Sequence, residues 1–94
     1  MKVTDVKIVP VDEDRLKGYV TVTIDDCFVI RDIKIIQGHD GLFVAMPSKK
    51  KKDGTYRDIA HPVNQETRQI FEKQIFDAYE KMVAEQSPPQ NETE

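Results

Sequence analysis

The segment Tyr19-Val20-Thr21-Val22-Thr23-Ile24 decides the fold, because aliphatic side chains alternate with threonine or tyrosine throughout it. Alternation with period two predicts a β-strand that buries one face and exposes the other. Valine, isoleucine and threonine branch at Cβ and favour extended backbone. Of the 19 Val and Ile residues, 16 precede position 64, so the first two thirds of the chain is expected to be β-sheet.

The strand before this segment is expected to end at a proline. Val6 and Ile8 alternate with Lys7, and Pro10 has no amide hydrogen to donate to a neighbouring strand. The acidic cluster at residues 12–14 then predicts a solvated turn that leads into the deciding segment.

The strand after the deciding segment changes its apolar face midway. A tight Asp25-Asp26 turn leads into residues 27–36, where positions 28 and 30 share one face and positions 33 and 35 the other. Side chains alternate with period two, so this change indicates a β-bulge at Arg31-Asp32 or a strand that is apolar on both faces. We favour the bulge.

A turn at residues 38–41 precedes a further strand at 42–46. This strand is apolar on both faces, which is typical of a strand that is central or covered by another part of a structure. Four consecutive lysines follow, and then Asp53-Gly54, which predicts a two-residue hairpin turn with positive φ at both central positions. Residues 56–60 return as the last strand.

Helical spacing begins after Pro62, which ends the last strand. Asn64 is the expected N-cap, and Glu66 in the first turn favours the helix dipole. From Gln65 to about Glu85, apolar side chains recur three and four positions apart: Phe71, Ile75, Ala78, Tyr79 and Met82. Phe76 and Val83 widen this apolar arc to roughly 160°. One sheet needs less than that, so the surplus is available to a second protomer.

Together these elements predict one α+β domain over residues 1–85, a four- to five-stranded antiparallel sheet followed by one long C-terminal helix. Residues 86–94 hold no apolar side chain except prolines and are expected to form a disordered acidic tail. A chain of 94 residues has room for one core. Pairing with a second copy would bury more of its surface.

The residue types argue against catalysis, cofactors and membranes. No stretch approaches the roughly 18 apolar residues of a membrane span, and no signal-peptide pattern opens the chain. The single cysteine, Cys27, fits a reducing, cytoplasmic compartment and lacks the basic surroundings of a nucleophile. His39 and His61 have no Cys or Glu at ligand spacing, so we expect no metal and no other cofactor. We expect His61 to hydrogen-bond to the start of the helix.

The net charge of −3 results from an uneven distribution of acidic and basic residues along the sequence. Glu85, Glu92 and Glu94 account for −3, so residues 1–84 sum to zero. Within that part, residues 49–57 hold one acid and five bases, net +4: Lys49, Lys50, Lys51, Lys52 and Arg57. These bases are the predicted nucleic-acid contacts, directed at the phosphate backbone, and Tyr56 beside them is a candidate for base stacking. The alternative is a solvated loop without a partner.

Three blocks in this part of the chain have the pattern of a known family. They are residues 41–49, the Asp53-Gly54 pair, and residues 56–62 with the sequence Tyr-Arg-Asp-Ile-Ala-His-Pro. The start at Val3-Thr4-Asp5-Val6 and the segment at 28–33 fit as well. Over about residues 1–80, the sequence resembles the SpoVG family (stage V sporulation protein G).

This resemblance implies a bacterial cytoplasmic homodimer that binds DNA or RNA, or both, rather than an enzyme. It also implies a role in sporulation, division septum formation or gene regulation. Two departures stand out: four lysines replace a Lys-Arg-Thr-Pro run, and Ile8-Val9-Pro10 replaces basic residues on the first strand. The alternative function is a protein-interaction adaptor for the division or sporulation machinery that does not bind nucleic acid.

Overall fold

Four strands in one sheet, a small separate hairpin and one helix make up the fold. The computed structural model describes residues 1–86, and its elements are β1 (Val3–Pro10), β2 (Leu16–Ile24), β3 (Phe28–Gly38), β4 (Gly41–Ala45), β5 (Ser48–Lys50), β6 (Tyr56–Asp58) and α1 (Gln65–Gln86). Strands β1 to β4 form an antiparallel sheet in sequential order, and β5 pairs with β6. The predicted α+β fold is confirmed.

The core lies between α1 and one face of the sheet, which we call the inner face. It consists of Val20, Val22, Ile24, Ile33, Ile35, Val44 and Met46 together with Phe71 and Ile75 of the helix. The deciding segment thus supplies three core residues from one strand, as its alternation predicts. Burial of each such side chain contributes about 1.5–3 kcal/mol. The opposite, outer face of the sheet carries Tyr19, Thr21, Lys34, Ile36 and Phe43.

Strand β3 contains the predicted bulge. The partners of Val20 and Val22 are three positions apart on β3, so Arg31 and Asp32 together lie opposite Thr21. Asp32 takes a φ of 63°, a left-handed conformation that aspartate tolerates better than most residues. The extra residue returns the following isoleucines to the inner face, which explains the change of parity in the sequence.

The turn between β2 and β3 is held by the start of the chain. Asp25 and Asp26 have φ values of 51° and 57°, and the amide of Cys27 donates to the carbonyl of Ile24 at 3.0 Å. The carbonyl of Lys2 accepts from the Asp25 amide at 2.8 Å, and the Lys2 amide donates to Asp25 Oδ1 at 3.1 Å. The predicted two-residue turn is confirmed.

The helix begins as the sequence predicts. Asn64 Oδ1 accepts from the amide of Thr67 at 2.8 Å, which satisfies a donor that the first turn leaves free. Phe71 and Ile75 are buried, whereas Ile70 and Val83 are exposed. No helix within residues 1–86 is both long and apolar enough to cross a bilayer. The predicted acidic tail beyond Gln86 lies outside the described residues.

The strand that is apolar on both faces is not central. Strand β4 lies at the edge of the four-stranded sheet and pairs with β3. Its inward residue Val44 is buried, but Phe43 on the outer face is exposed, and no element within residues 1–86 covers it. Alternation reports which faces are apolar and carries no information on strand order. The last strand is also shorter than expected, since β6 ends at Asp58.

Candidate nucleic-acid interface

The predicted basic residues lie on the lysine hairpin, by which we mean β5, the loop 51–55 and β6. Lys49 and Lys50 belong to β5, whereas Arg57 belongs to β6. Every side chain of the hairpin is exposed. The amide of Ile59 donates to the carbonyl of Pro47 at 2.7 Å and closes the base of the hairpin. The hairpin therefore presents its side chains to solvent on a defined backbone.

The tip of the lysine hairpin differs from the predicted two-residue turn. The amide of Gly54 donates to the carbonyl of Lys51 at 3.0 Å, so Lys52 and Asp53 are the central residues of the turn. Within the tip Gly54, with a φ of 92°, is the residue at positive φ, which a glycine adopts without a Cβ clash. The amide of Lys51 also donates to the carbonyl of Thr55 at 2.6 Å. The hairpin is confirmed, but its turn is one residue earlier than predicted.

The single carboxylate of residues 49–57 is held within this tip. Asp53 Oδ1 accepts from the hydroxyl of Thr55 at 2.7 Å and from the Thr55 amide at 3.0 Å. These hydrogen bonds, the hydroxyl first and the backbone amide second, lower the pKa of Asp53 below its ordinary value. Asp53 therefore stays ionised and shapes the turn.

The five bases of the lysine hairpin have no acidic partner within residues 1–86. The ion pairs of this part of the chain, Arg68 with Glu72 and Lys73 with Asp77, both lie on α1. Lys49 faces Arg57 directly across the two strands, and facing like charges repel. Neutralisation of this charge would have to come from outside residues 1–86.

A concave surface forms among these bases. A cavity of about 550 Å³ is lined by Lys49, Lys50, Lys51, Lys52 and Arg57, with Asp58 and Ile59 at its edge. All five residues that are predicted to contact the phosphate backbone of a nucleic acid thus lie around one depression. A concave, strongly positive surface favours anions because it raises the local electrostatic potential.

Tyr56, the remaining predicted site residue, lines a different depression. It lies on β6 opposite Lys50 and lines a cavity of about 530 Å³ over the outer face of the sheet, which we call the outer groove. Tyr19, Lys34 and Ile36 are among the residues of this groove. The structure therefore brings the five bases together around one cavity, whereas Tyr56, although it is opposite Lys50, lines the neighbouring one.

Lys34 is a candidate site residue that the sequence interpretation missed. It lies between the buried Ile33 and Ile35, and its pairing with Ala45 places it on the outer face, within the outer groove. The sequence did contain a signal for this position. Lys34 is a single polar residue in an apolar run, and such a residue marks an outward position of a strand.

His61 and Cys27 both lie in segments that connect regular elements. Nδ1 of His61 lies 2.9 Å from the carbonyl oxygen of Pro62, so the expected bond to the helix start is replaced by a contact with the adjacent residue. Cys27 is free and exposed in the turn before β3. Within residues 1–86, no three His, Cys, Asp or Glu side chains are placed to hold a metal ion.

Comparison with known proteins supports the resemblance. A sequence model of the SpoVG family matches residues 1–81. The chain belongs to the SpoVG family. A relative from Bdellovibrio bacteriovorus is 70% identical over 81 residues, which cover 86% of this chain and 75% of that protein. Relatives from Myxococcus xanthus and Phytoplasma australiense are 60% and 55% identical and cover 86% and 88% of this chain, 82% and 88% of their own lengths.

All three of these SpoVG-family relatives bear the name "Putative septation protein SpoVG". The matched region, residues 1–81, includes the whole sheet, the lysine hairpin and most of α1. The name describes a septation protein.

Proposed function

We propose that this chain is a nucleic-acid-binding regulatory protein whose lysine hairpin contacts the phosphate backbone of DNA or RNA. The observation that carries the proposal is the set of five bases around one depression without an acidic partner in residues 1–86. Grouped, unneutralised bases repel one another in the free protein, and a bound polyanion relieves that repulsion. Binding of this kind needs no cofactor.

A homodimer is part of the same proposal. Strand β4 pairs with β3 along one side, and within residues 1–86 its other side has no partner strand. An unpaired edge of this kind favours pairing with a second chain, and the exposed Ile70 and Val83 supply further apolar surface. Pairing of two β4 edges across a two-fold axis would extend the sheet and present two lysine hairpins.

The biological process is proposed from the relatives. Their printed names supply septation, and the family name refers to sporulation. We propose that the chain acts in the cytoplasm as a regulator in one of these processes, and that its nucleic-acid target mediates the regulation.

The test is a salt titration of DNA and RNA binding by the wild type and by a variant with Lys49, Lys50, Lys51 and Lys52 changed to Ala. Each phosphate contact contributes about −0.9 to the slope of log affinity against log salt, so ten bases in a dimer set a limit near −9. We expect a steep slope that flattens in the variant by up to about 3.6 units for each hairpin bound. Binding that is unaffected by the four substitutions would contradict the proposal.

One observation favours the second candidate function, a protein-interaction adaptor. Phe28 is exposed at a cavity of about 370 Å³ that also involves Met1, Met46 and Phe71, on the side of the sheet opposite the outer groove. An exposed aromatic residue beside an apolar cavity is typical of a protein-binding surface. An adaptor would lose its partner on substitution of Phe28 by Ala and keep it in the lysine variant.

A further inference from the structure

The aromatic side chains of this chain divide unequally between the core and the surface. Of seven Phe and Tyr residues, Phe71 is buried, and Phe76 and Tyr79 pack partly buried against the core. Tyr56, Phe43 and Tyr19 are 69%, 44% and 41% exposed, and Phe28, on the opposite face of the sheet, is 61% exposed. The core therefore leaves Tyr56, Phe43 and Tyr19 free for another use on the outer side.

These three residues mark one continuous track. Tyr19 and Tyr56 line the outer groove, and Phe43 lines an adjoining cavity of about 350 Å³. Lys34 and Ile36 line both cavities and connect them. Successive outward positions on a strand are about 7 Å apart. Tyr19 faces Lys34 and Phe43 faces Ile36, so these two aromatic residues are offset by one such step along β3.

The charge of the track differs from that of the lysine hairpin. Lys34 and Asp32 both line the outer groove, so their charges offset each other there. The cavity of the bases, on residues 49–59, holds five positive groups and one carboxylate, Asp58, and it shares Ile59 with the outer groove. A neutral aromatic surface thus adjoins a strongly positive one.

We infer that the outer groove binds unstacked nucleobases, which makes the preferred ligand single-stranded DNA or RNA. A single strand combines neutral aromatic bases with a continuous anionic backbone, and both properties match the two adjoining surfaces. In a duplex the base faces are stacked on one another and cannot reach a tyrosine ring. A second copy of this chain fits this face poorly, because it would bring another hairpin of net +3 toward the first.

This inference rests on the proposed function and assigns a different contribution to binding to each of two surfaces. The lysine hairpin supplies the charge attraction, which depends on salt, and the aromatic track supplies stacking, which does not. Loss of an aromatic residue should therefore weaken binding at every salt concentration and leave the salt slope unchanged. Loss of lysines should change the slope.

The experiment measures binding of the full chain to an oligothymidylate and to an abasic deoxyribose-phosphate oligomer of the same length. The variants are Tyr19→Ala with Tyr56→Ala, Tyr19→Phe with Tyr56→Phe, and Phe28→Ala as a matched exposed aromatic residue on the other face. We expect the Ala pair to bind oligothymidylate roughly tenfold or more weakly. The Phe pair, which retains both rings, and Phe28→Ala should bind like the wild type.

Tyrosine fluorescence gives an independent readout, since the chain has three Tyr and no Trp. Stacking of bases on Tyr19 and Tyr56 should quench the emission on addition of oligothymidylate but not of the abasic oligomer.

Equal affinity of the wild type for both oligomers, with no effect of the Ala pair, would overturn the inference and leave the proposed function standing. Salt-independent binding that ignores the lysines would instead overturn the proposed function. A fall in mass by light scattering in the Ala pair would also overturn the inference, since it would identify the outer groove as a protein interface.

Discussion

Helix α1 and the lysine hairpin both carry basic residues, but the charged neighbours of these residues differ between the two regions. On α1, Lys73 lies 2.9 Å from Asp77 and Arg68 lies 3.4 Å from Glu72, each pair one helical turn apart. On the hairpin, Lys49 faces Arg57. Within residues 1–86, the helix pairs Arg68 and Lys73 with its own acids and buries Phe71 and Ile75, whereas the bases of the hairpin have no acidic partner and every side chain there is exposed. The helix therefore stabilises the fold, and the charge of the hairpin is accessible to a ligand.

The largest expected effect concerns the stability that the helix provides. Ile75→Ala should lower the free energy of unfolding by about 2–5 kcal/mol, because Ile75 is fully buried against the sheet and the truncation leaves a cavity. Urea denaturation followed by circular dichroism measures this, with Ile75→Val as the control at about 0.5–1.5 kcal/mol. A loss below 1 kcal/mol for Ile75→Ala would mean that the helix contributes less than its packing indicates.

The next prediction compares the removal of two positive charges from the hairpin with the removal of two from α1. Lys51→Ala with Lys52→Ala should weaken nucleic-acid binding about 10- to 100-fold at about 50 mM salt. The slope should fall for each hairpin bound by about 1.4 with a single strand and by about 1.8 with duplex DNA. Lys73→Ala with Lys81→Ala removes the same charge from α1 and should change the affinity about twofold or less, because screening limits distant charges. Equal losses in the two variants would mean that net charge, and not the hairpin, governs binding.

A smaller effect is expected at Asp53, the carboxylate within the hairpin tip. Asp53→Asn keeps Oδ1 as an acceptor for Thr55 and raises the charge of residues 49–57 from +4 to +5, so binding should tighten a few-fold at low salt. Isothermal titration at low and high salt measures the gain, which should vanish at high salt. Weaker binding by this variant would indicate that the charge of Asp53 is needed to shape the tip.

The pH dependence of the same group has a defined sign. The pKa of Asp53 is lowered in the folded chain, so its hydrogen bonds stabilise the hairpin above the unfolded value of 3.8 and that contribution is lost as the pH falls through the folded value. Between about pH 5 and 8 the group stays ionised. The gain of Asp53→Asn should therefore be constant over that range, and a gain that varies with pH would implicate another group.

The smallest effect is expected from the acidic residues at the end of the sequence. Removal of residues 87–94 deletes Glu92 and Glu94, which reduces the competition between carboxylates and phosphate for the lysines. Binding should tighten by less than the Asp53→Asn gain at low salt and remain unchanged at high salt. A truncated chain that binds more weakly would assign these residues to the binding surface instead.

The sequence predicts the layout of the sheet well where one face is buried. Alternation at Val20 and Val22 identified the inner face, and the parity change identified the bulge at Arg31-Asp32, because a one-residue slip would expose the whole apolar face of the strand. The helix start at Asn64 was readable since an N-cap is a local feature.

Three features of the fold and the candidate site could not be predicted from the sequence. The edge position of β4 depends on strand order, which alternation does not encode. The tip of the lysine hairpin depends on how Lys51 hydrogen-bonds to Gly54 and Thr55, and the Asp53-Gly54 pair fits more than one such turn. The assignment of Tyr56 to a different cavity from the five bases also needed the structure, because that cavity includes Tyr19, Asp32 and Lys34 from distant strands.

The most direct test of the contrast between the two regions is lysine acetylation, read by mass spectrometry, with and without a saturating oligothymidylate. A bound phosphate backbone shields the ammonium groups that it contacts. The account predicts protection of Lys49, Lys50, Lys51 and Lys52, with Lys73 and Lys81 on α1 labelled equally in both states. Protection of the helix lysines with unchanged labelling of the hairpin would contradict the account.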